Sequence, residues 1–80
     1  MTIHVRLFAS LRELAGAGEA QVSGQTIGEI ADALSARHGE RFAAIVTASS
    51  FVVNGERAGR DTVIAEGDEV AILPPVSGGR

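Results

Sequence analysis

The sequence contains no cysteine, tryptophan or tyrosine, and all seven of its lysine or arginine positions are arginine. The absence of cysteine excludes disulfides, thiolate metal sites, iron–sulfur clusters and cysteine nucleophiles. Aromatic residues are limited to three phenylalanines, so the chain lacks the large aromatic surfaces on which nucleic-acid bases stack. Branched aliphatic side chains must therefore fill the core.

No long apolar run is present, and none of the segments approaches the roughly 20 apolar residues that a membrane-spanning helix requires. The first residues also lack an apolar run followed by a small-residue cleavage site. The net charge of −3 disfavours binding to nucleic acid or to an anionic membrane, because both are polyanions. We therefore expect a cytoplasmic protein that binds neither nucleic acid nor membrane, and whose partner presents a basic surface.

Apolar and polar residues mostly alternate from Thr2 to Ala9, which predicts a strand with one buried face and with His4 and Arg6 on the other face. Phe8 breaks this alternation, because it puts an aromatic ring on the polar side just before a short helical segment, Ser10 to Ala15. This position makes Phe8 a candidate exposed anchor. The inward positions of the strand are Ile3, Val5 and Leu7.

The main helix begins after Thr26, which caps it while Glu29 reaches back as the partner in a capping box. Further along, Asn54-Gly55 predicts a tight type I′ turn, since both residues tolerate positive φ. The other expected elements are a turn at 16–18, a strand at Glu19–Ser23, a short helical turn at Arg41–Val46, a strand from Phe51, a short strand at Glu56–Ala58 and a last strand at Glu69–Leu73.

This order of elements predicts an α+β fold in which one main helix packs across a mixed sheet, the arrangement of the ubiquitin-like β-grasp. A chain of 80 residues has room for one small core. We therefore expect one β-grasp domain over residues 1–75, followed by a flexible Gly-Gly tail over residues 76–80.

A conventional active site is not expected from these residues. The two histidines, His4 and His38, are predicted on the outer face of the first strand and at a helix end, without evident acid or base partners. Three acids crowd one turn at Glu66, Asp68 and Glu69, but they lack the alternating ligands and distal glutamate of a calcium loop. We interpret them as solvated turn charges, and predict no metal site.

The remaining candidate for chemistry is the main chain of the Gly-Gly tail. Its two glycines have no Cβ, so the tail can thread a narrow tunnel. The segment Gly67–Gly79, with its ending Leu-Pro-Pro-Val-Ser-Gly-Gly, is similar to the end of the small subunit of molybdopterin synthase. Val5–Gly16 resembles the first strand and helix of the same family, and Val53-Asn54-Gly55 falls where that family has its turn. The resemblance spans nearly the whole chain.

The resemblance implies a sulfur carrier rather than an enzyme. An ATP-dependent activating enzyme adenylates the carboxylate of Gly79, and a sulfur donor protein then displaces AMP to leave a thiocarboxylate. The thiocarboxylate enters the large synthase subunit and gives its sulfur to cyclic pyranopterin monophosphate. The chain itself needs no bound cofactor, ATP being used by the activating enzyme, and the expected assembly has two small subunits flanking a dimer of large subunits.

Partner recognition is expected at an apolar patch beside the tail. Phe8 is assigned to it because Leu7 already occupies the inward position of the first strand. Leu73 joins it on its position alone, because Val70 and Ile72 mark different pleat faces in this interpretation and leave its orientation open. The remaining predicted partner-binding residues are Pro74, Pro75, Val76, Ser77 and Gly78.

Arg80 departs from the family, whose working form ends at the second glycine. In the chain as written the terminal carboxylate belongs to arginine, and we expect sulfur loading on Gly79 only after Arg80 is lost. A peptidase-trimmed precursor, a truncated carrier–synthase fusion and a cloning remnant all explain Arg80.

Two alternatives stay open. The first keeps the fold but assigns a different role, in which the chain is a sulfur carrier for thiamine or cysteine synthesis or a ubiquitin-like protein modifier. The second is a β-grasp interaction module with a passive tail, which would gain no sulfur from an activating enzyme.

Overall fold

A computed structural model describes residues 2–75 of the chain. Its elements are β1 (Thr2–Leu7), α1 (Ala9–Ala15), β2 (Glu19–Ser23), α2 (Ile27–His38), α3 (Glu40–Thr47), β3 (Ser50–Val53), β4 (Glu56–Ala58) and β5 (Glu69–Leu73). The second, short and last strands have the bounds expected from the sequence. None of the helices in this part of the chain is long and apolar enough to cross a membrane.

Two local expectations need correction. The first strand ends at Leu7 rather than Ala9, because Phe8 becomes the N-cap of α1 and the chain turns there into the helix. The segment expected as a helical turn is a full helix of eight residues, α3. Its Phe42 and Val46 are both buried, so packing lengthens a helix that its short sequence pattern left undecided.

The five strands form one mixed sheet in the order β2-β1-β5-β3-β4. The central pair, β1 and β5, is parallel, whereas β1 with β2, β3 with β5 and β3 with β4 are antiparallel. The main helix α2 contributes its apolar side to the core on one face of this sheet. This is the ubiquitin-like β-grasp, and the expected fold class is confirmed.

The core lies between the sheet and the helices and is almost entirely aliphatic. Along β1 every second residue is buried, as the alternation predicts. Val70 and Ile72 are each only 1% exposed, so they lie on the same face of β5. The interpretation that placed them on different faces is wrong, since residues two apart in a strand point the same way.

The start of α2 shows why the helix begins where it does. Thr26 Oγ1 accepts a hydrogen bond from the N–H of Glu29 at 3.2 Å, and Glu29 Oε1 accepts one from the N–H of Gln25 at 2.8 Å. The predicted cap is confirmed, although the glutamate bonds to the residue before the N-cap rather than to the N-cap itself. After this start, Ile27, Ile30, Ala31 and Leu34 recur on the buried side of the helix.

Replacing Leu34 by alanine tests how much of the stability comes from this side of α2. Leu34 is completely buried, and we expect the loss of free energy of unfolding to be about 2–5 kcal/mol, since both buried area and packing are lost. The same substitution at Leu14, which is 38% exposed in α1, is the matched control. Denaturant unfolding of both variants makes the comparison, and equal losses would show that α2 is not central to the core.

Candidate partner-binding face beside the carboxyl-terminal tail

One face of the sheet is covered by the helices, and the residues that alternate with the core positions lie on the opposite, open face. At one end of this open face, Ser50 pairs with Leu73 across β3 and β5. Leu7 pairs with Ile72 across β1 and β5, so continuing this parallel register places Phe8 beside Leu73. Phe8 is 40% exposed and Leu73 is 38% exposed. Both predicted anchors thus lie outside the core, while their role in binding a partner remains a prediction.

The next row of the open face crosses all five strands. The residues paired across this row, in order from β4 to β2, are Arg57, Val52, Ala71, Arg6 and Glu19. Val52 and Ala71 are half-buried and extend the apolar surface inward from the end of the sheet. We call Phe8, Val52, Ala71 and Leu73 the docking patch.

The sequence interpretation named two members of the docking patch and missed Val52 and Ala71. The signal was available, since period 2 along the two strands, with Phe51 and Ile72 inward, puts both residues on the other face. Which strands lie next to each other, and hence that the four residues form one surface, depends on the sheet order.

The described part of the chain ends two residues after the central strand, β5. Beyond Leu73 the neighbours on both sides are gone, because β1 has ended and the N–H of Ser49 donates back to the carbonyl of Val46 at the end of α3. Pro74 is half-buried and Pro75 is exposed, and neither has an N–H with which to extend the ladder. The remaining predicted site residues, namely Val76, Ser77, Gly78, Gly79 and Arg80, lie outside the described part of the chain.

Phe8 occupies a position where local helix energetics favour another residue. It is the N-cap of α1 and makes no side-chain hydrogen bond to the helix. Serine, threonine, aspartate or asparagine at an N-cap typically stabilises by about 0.5–2 kcal/mol relative to an apolar residue. An exposed phenylalanine here therefore serves neither the helix nor the core, which favours a binding role.

The backbone next to Phe8 is strained as well. Ala9 has φ 51°, a left-handed conformation that non-glycine residues rarely adopt. The junction is held by the carbonyl of Phe8, which accepts from the N–H of Leu11 at 3.1 Å and of Arg12 at 3.4 Å. Leu11 itself is completely buried. The left-handed backbone at Ala9 and the hydrogen bonds to the Phe8 carbonyl together fix the backbone from which the side chain of Phe8 projects.

A hydrogen-bonded clamp holds the beginning of β5. Asp68 Oδ2 accepts from the N–H of Ala65 at 2.8 Å, and its Oδ1 accepts from Asn54 Nδ2 at 3.0 Å. Asn54 Oδ1 in turn accepts from the N–H of Glu69 at 2.9 Å. Asn54 has φ 52° and Gly55 has φ 86°, so the predicted tight turn is present and is tied to the strand that carries the tail.

Asp68 is a solvated turn charge, as interpreted from the sequence, and it also accepts two hydrogen bonds that the sequence did not predict. The hydrogen bond from Ala65, followed by that from Asn54, lowers the pKa of Asp68 below its ordinary value of 3.8 against a smaller opposing effect of desolvation. Aspartate at a turn readily accepts such bonds from nearby backbone groups.

The two histidines lie on different elements, β1 and α2. His4 is exposed on the open face, in register with Glu69 of β5. His38 ends α2 and packs against the ring of Phe42, with 4.9 Å between centroids. Both positions agree with the sequence interpretation. Within residues 2–75, no group of three or more histidine, aspartate or glutamate side chains is arranged to hold a metal ion.

The fold and the open face together define a ubiquitin-like β-grasp protein whose last strand lies at the centre of the sheet. Residues 5–79 match the ThiS family. The chain belongs to this family of ubiquitin-like sulfur carriers and modifiers.

Relatives of several kinds share the sequence and the fold. Small archaeal modifier protein 1 of Haloferax volcanii is 36% identical over an alignment 88 positions long, which covers 92% of this chain and 97% of that protein. A putative molybdopterin converting factor subunit 1 of Pyrococcus furiosus is 28% identical, with a TM-score of 0.82 over 95% of this chain and 99% of that one. A chain of the BexX/CysO complex of Amycolatopsis orientalis is also 28% identical, with a TM-score of 0.79, over 96% of this chain and 99% of that one.

The clamp at Asp68 predicts a pH dependence of stability. Because the pKa is lowered in the folded state, the stabilisation is present above pH 3.8 and is lost as the pH falls through the lowered value. We expect Asp68→Asn to reduce the free energy of unfolding at pH 6 and to flatten its decline toward pH 2, as followed by urea unfolding. Glu66→Gln removes the same charge from the same turn, where Glu66 is exposed. An equal effect of both substitutions would contradict a specific role of Asp68.

Proposed function

We propose that this protein is the sulfur-carrier subunit of molybdopterin synthase and that it delivers sulfur as a thiocarboxylate on Gly79. The observation that carries this proposal is the position of Phe8 and Leu73, which are both exposed at the end of the sheet where β5 leads into Pro74 and Pro75. A partner that binds the docking patch has the root of the tail at its surface. The Leu-Pro-Pro-Val-Ser-Gly-Gly ending, which resembles that of the molybdopterin synthase small subunit, favours this client.

The proposed cycle uses the main chain of the tail as the reactive group. A carboxylate is a poor acceptor for a nucleophile, so an ATP-dependent activating enzyme first converts the carboxylate of Gly79 into an acyl adenylate with release of pyrophosphate. A sulfur donor protein then displaces AMP. The large synthase subunit supplies the catalytic side chains for transfer to cyclic pyranopterin monophosphate. The small chain acts as a carried reagent and needs no bound cofactor.

The two parts of the chain have different roles in this proposal. The β-grasp domain recognises the partner, and the tail extends into the partner's active site. Residues without Cβ fit where side chains do not, so Gly78 and Gly79 suit a narrow tunnel that leads to a partner's active site. The prolines at the root restrict φ and favour an extended exit from the sheet. The relatives from Pyrococcus furiosus and Amycolatopsis orientalis support a carrier that works with a partner protein.

A second candidate function is that of a ubiquitin-like protein modifier, which the identity with the small archaeal modifier protein of Haloferax volcanii favours. A modifier uses the same activated Gly79 carboxyl group but transfers it to an amine of another protein. The chain has no lysine of its own, so side-chain conjugation between copies of it is excluded. Detection of the chain joined to lysines of other proteins in cells, by mass spectrometry, would favour the modifier.

Replacing Phe8 by aspartate tests the docking patch. We expect the affinity for the large synthase subunit to fall by about 2 kcal/mol or more, roughly 30-fold, because a charge must lose its water in an apolar interface. The fold of the free variant should remain intact, since aspartate is a favourable N-cap. Calorimetric titration measures the affinity, and thermal unfolding measures the stability.

The matched control for this substitution is Val63→Asp. Val63 is 76% exposed and bridges to Thr26 rather than lying in a strand of the sheet, so the control adds the same charge away from the open face. Unfolding of Phe8→Asp alone would place Phe8 in the core of the protein in solution. Full affinity of a folded Phe8→Asp variant would contradict the docking patch.

The position of the reactive carboxyl group gives a further prediction. A chain that ends at Gly79 should form a thiocarboxylate with purified activating enzyme, ATP and a sulfur donor, and intact-mass analysis should show the replacement of one oxygen by sulfur. A chain that ends at Arg80 should remain unmodified unless a peptidase is supplied, because a displacement of about 1 Å at a reacting group can already cost roughly 100-fold in rate. Equal loading of both chains would show that Arg80 is tolerated.

A further inference from the structure

Arg57 lies at the border of the docking patch without serving the fold in an evident way. It is the cross-strand partner of Val52, which places its side chain on the open face. Its guanidinium Nη2 donates to Ser50 Oγ at 3.4 Å, a long hydrogen bond that uses one of five N–H donors. Because Ser50 pairs with Leu73, the guanidinium is directed toward the end of the sheet where the tail leaves.

Three of the other arginines in the described part of the chain have local partners. Arg6 lies 3.8 Å from a carboxylate oxygen of Glu69, and Arg60 lies 2.9 Å from one of Asp32. Arg37 donates to the carbonyl of Gln21 at 3.2 Å. Among residues 2–75, no carboxylate lies within salt-bridge distance of Arg57. Arg12 in α1 and Arg41 in α3 have no carboxylate partner among these residues either, but they lie on helices rather than on the open face.

Covering the docking patch with a partner protein changes the surroundings of Arg57. The guanidinium is exposed in the free chain, and water satisfies its remaining donors there. A partner that packs on Val52 and Leu73 displaces part of this water, and a guanidinium that loses its water without gaining an acceptor destabilises the complex. A carboxylate of the partner resolves this problem, since its two oxygens match the planar fork of the guanidinium.

We propose that Arg57 is a specificity-determining residue that receives a carboxylate of the large synthase subunit when this subunit covers the docking patch. This inference rests on the proposed function and deepens it by stating the chemistry that the partner presents. The partner surface is apolar opposite Phe8 and Leu73, and acidic opposite Arg57. A related partner with a neutral or basic residue at that point is rejected, because it leaves Arg57 desolvated and unpaired.

The inference reverses the expectation that net charge alone suggests. The chain carries a net charge of −3 and was therefore expected to meet a basic surface. On the open face, however, Arg57 and Arg6 flank Val52 and Ala71 in one row. Arg6 is paired with Glu69 and lies beside Glu19, whereas Arg57 has no carboxylate within salt-bridge distance among the described residues. The charge that a docked partner meets first is local, because charges farther apart than about 10 Å are largely screened.

The test compares charge reversal at Arg57 and at Arg41 in the full chain. Arg41 is exposed on α3, away from the strands that form the open face, so Arg41→Glu changes the net charge by the same amount. Binding of each variant to the purified large synthase subunit is measured by surface plasmon resonance at two salt concentrations. We expect Arg57→Glu to weaken binding at least about tenfold and Arg41→Glu to change it less than about twofold.

Two further measurements separate pairing from general electrostatics. Arg57→Lys keeps the charge and loses the planar fork, so it should recover only part of the affinity. Single acidic residues on the large subunit are then replaced by arginine, and one of them should restore binding to Arg57→Glu while weakening binding to the unaltered chain. Such a compensating pair identifies the carboxylate that Arg57 receives.

The outcomes distinguish this inference from the function on which it rests. If Phe8→Asp weakens binding and Arg57→Glu behaves like Arg41→Glu, the docking patch stands and the role of Arg57 is overturned. If neither Phe8→Asp nor Arg57→Glu weakens binding, the docking patch and the inference about Arg57 both fail. If the unaltered chain does not bind the large subunit, the proposed function fails and the inference fails with it.

Discussion

The parallel pairing of β1 with β5 in the middle of the sheet is the constraint on which the rest of the molecule depends. Parallel neighbours cannot be joined by a tight turn. The connection from β1 to β5 instead contains all three helices and the other three strands. The pairing also brings the end of β1 and the end of β5 to the same edge of the sheet. Phe8 and Leu73 are therefore neighbours because of topology, although they are 65 positions apart in the sequence.

Around that edge the chain departs from what local stability favours. An aromatic residue occupies a helix N-cap that a small polar residue fills better, and the alanine after it adopts a left-handed backbone. Ordinary folding rules are followed elsewhere, as in the capped start of α2 and the tight turn at Asn54-Gly55. Departures from local rules concentrated beside an exposed apolar patch are typical of a surface shaped for binding.

The clamp formed by Asn54, Asp68 and the N–H of Glu69 has a complementary role at the opposite end of β5. It fixes the strand at its beginning by hydrogen bonds that a charged carboxylate strengthens. The prolines then free the chain at the other end of the strand. The strand is thus fixed at its beginning and is followed by two residues that cannot extend the ladder.

Much of the local structure follows from the sequence, because it depends on neighbours along the chain. The alternation of Ile3, Val5 and Leu7, the cap at Thr26 and the turn at Asn54 are each decided within a few residues. The Leu-Pro-Pro-Val-Ser-Gly-Gly ending likewise indicated the family from consecutive residues alone. The extent of α3 and the shared face of Val70 and Ile72 were misjudged, the first because it depends on contacts with distant segments.

The docking patch is where the sequence by itself reached its limit. It determined that Phe8 and the tail are unusual, since each breaks a local pattern or carries a recognisable motif. Only the tertiary structure decided that Val52, Ala71 and Arg57 share one face with Leu73, because the order of strands brings together residues from separate parts of the chain. Strand order is set by the burial of one common core, which no short segment encodes alone.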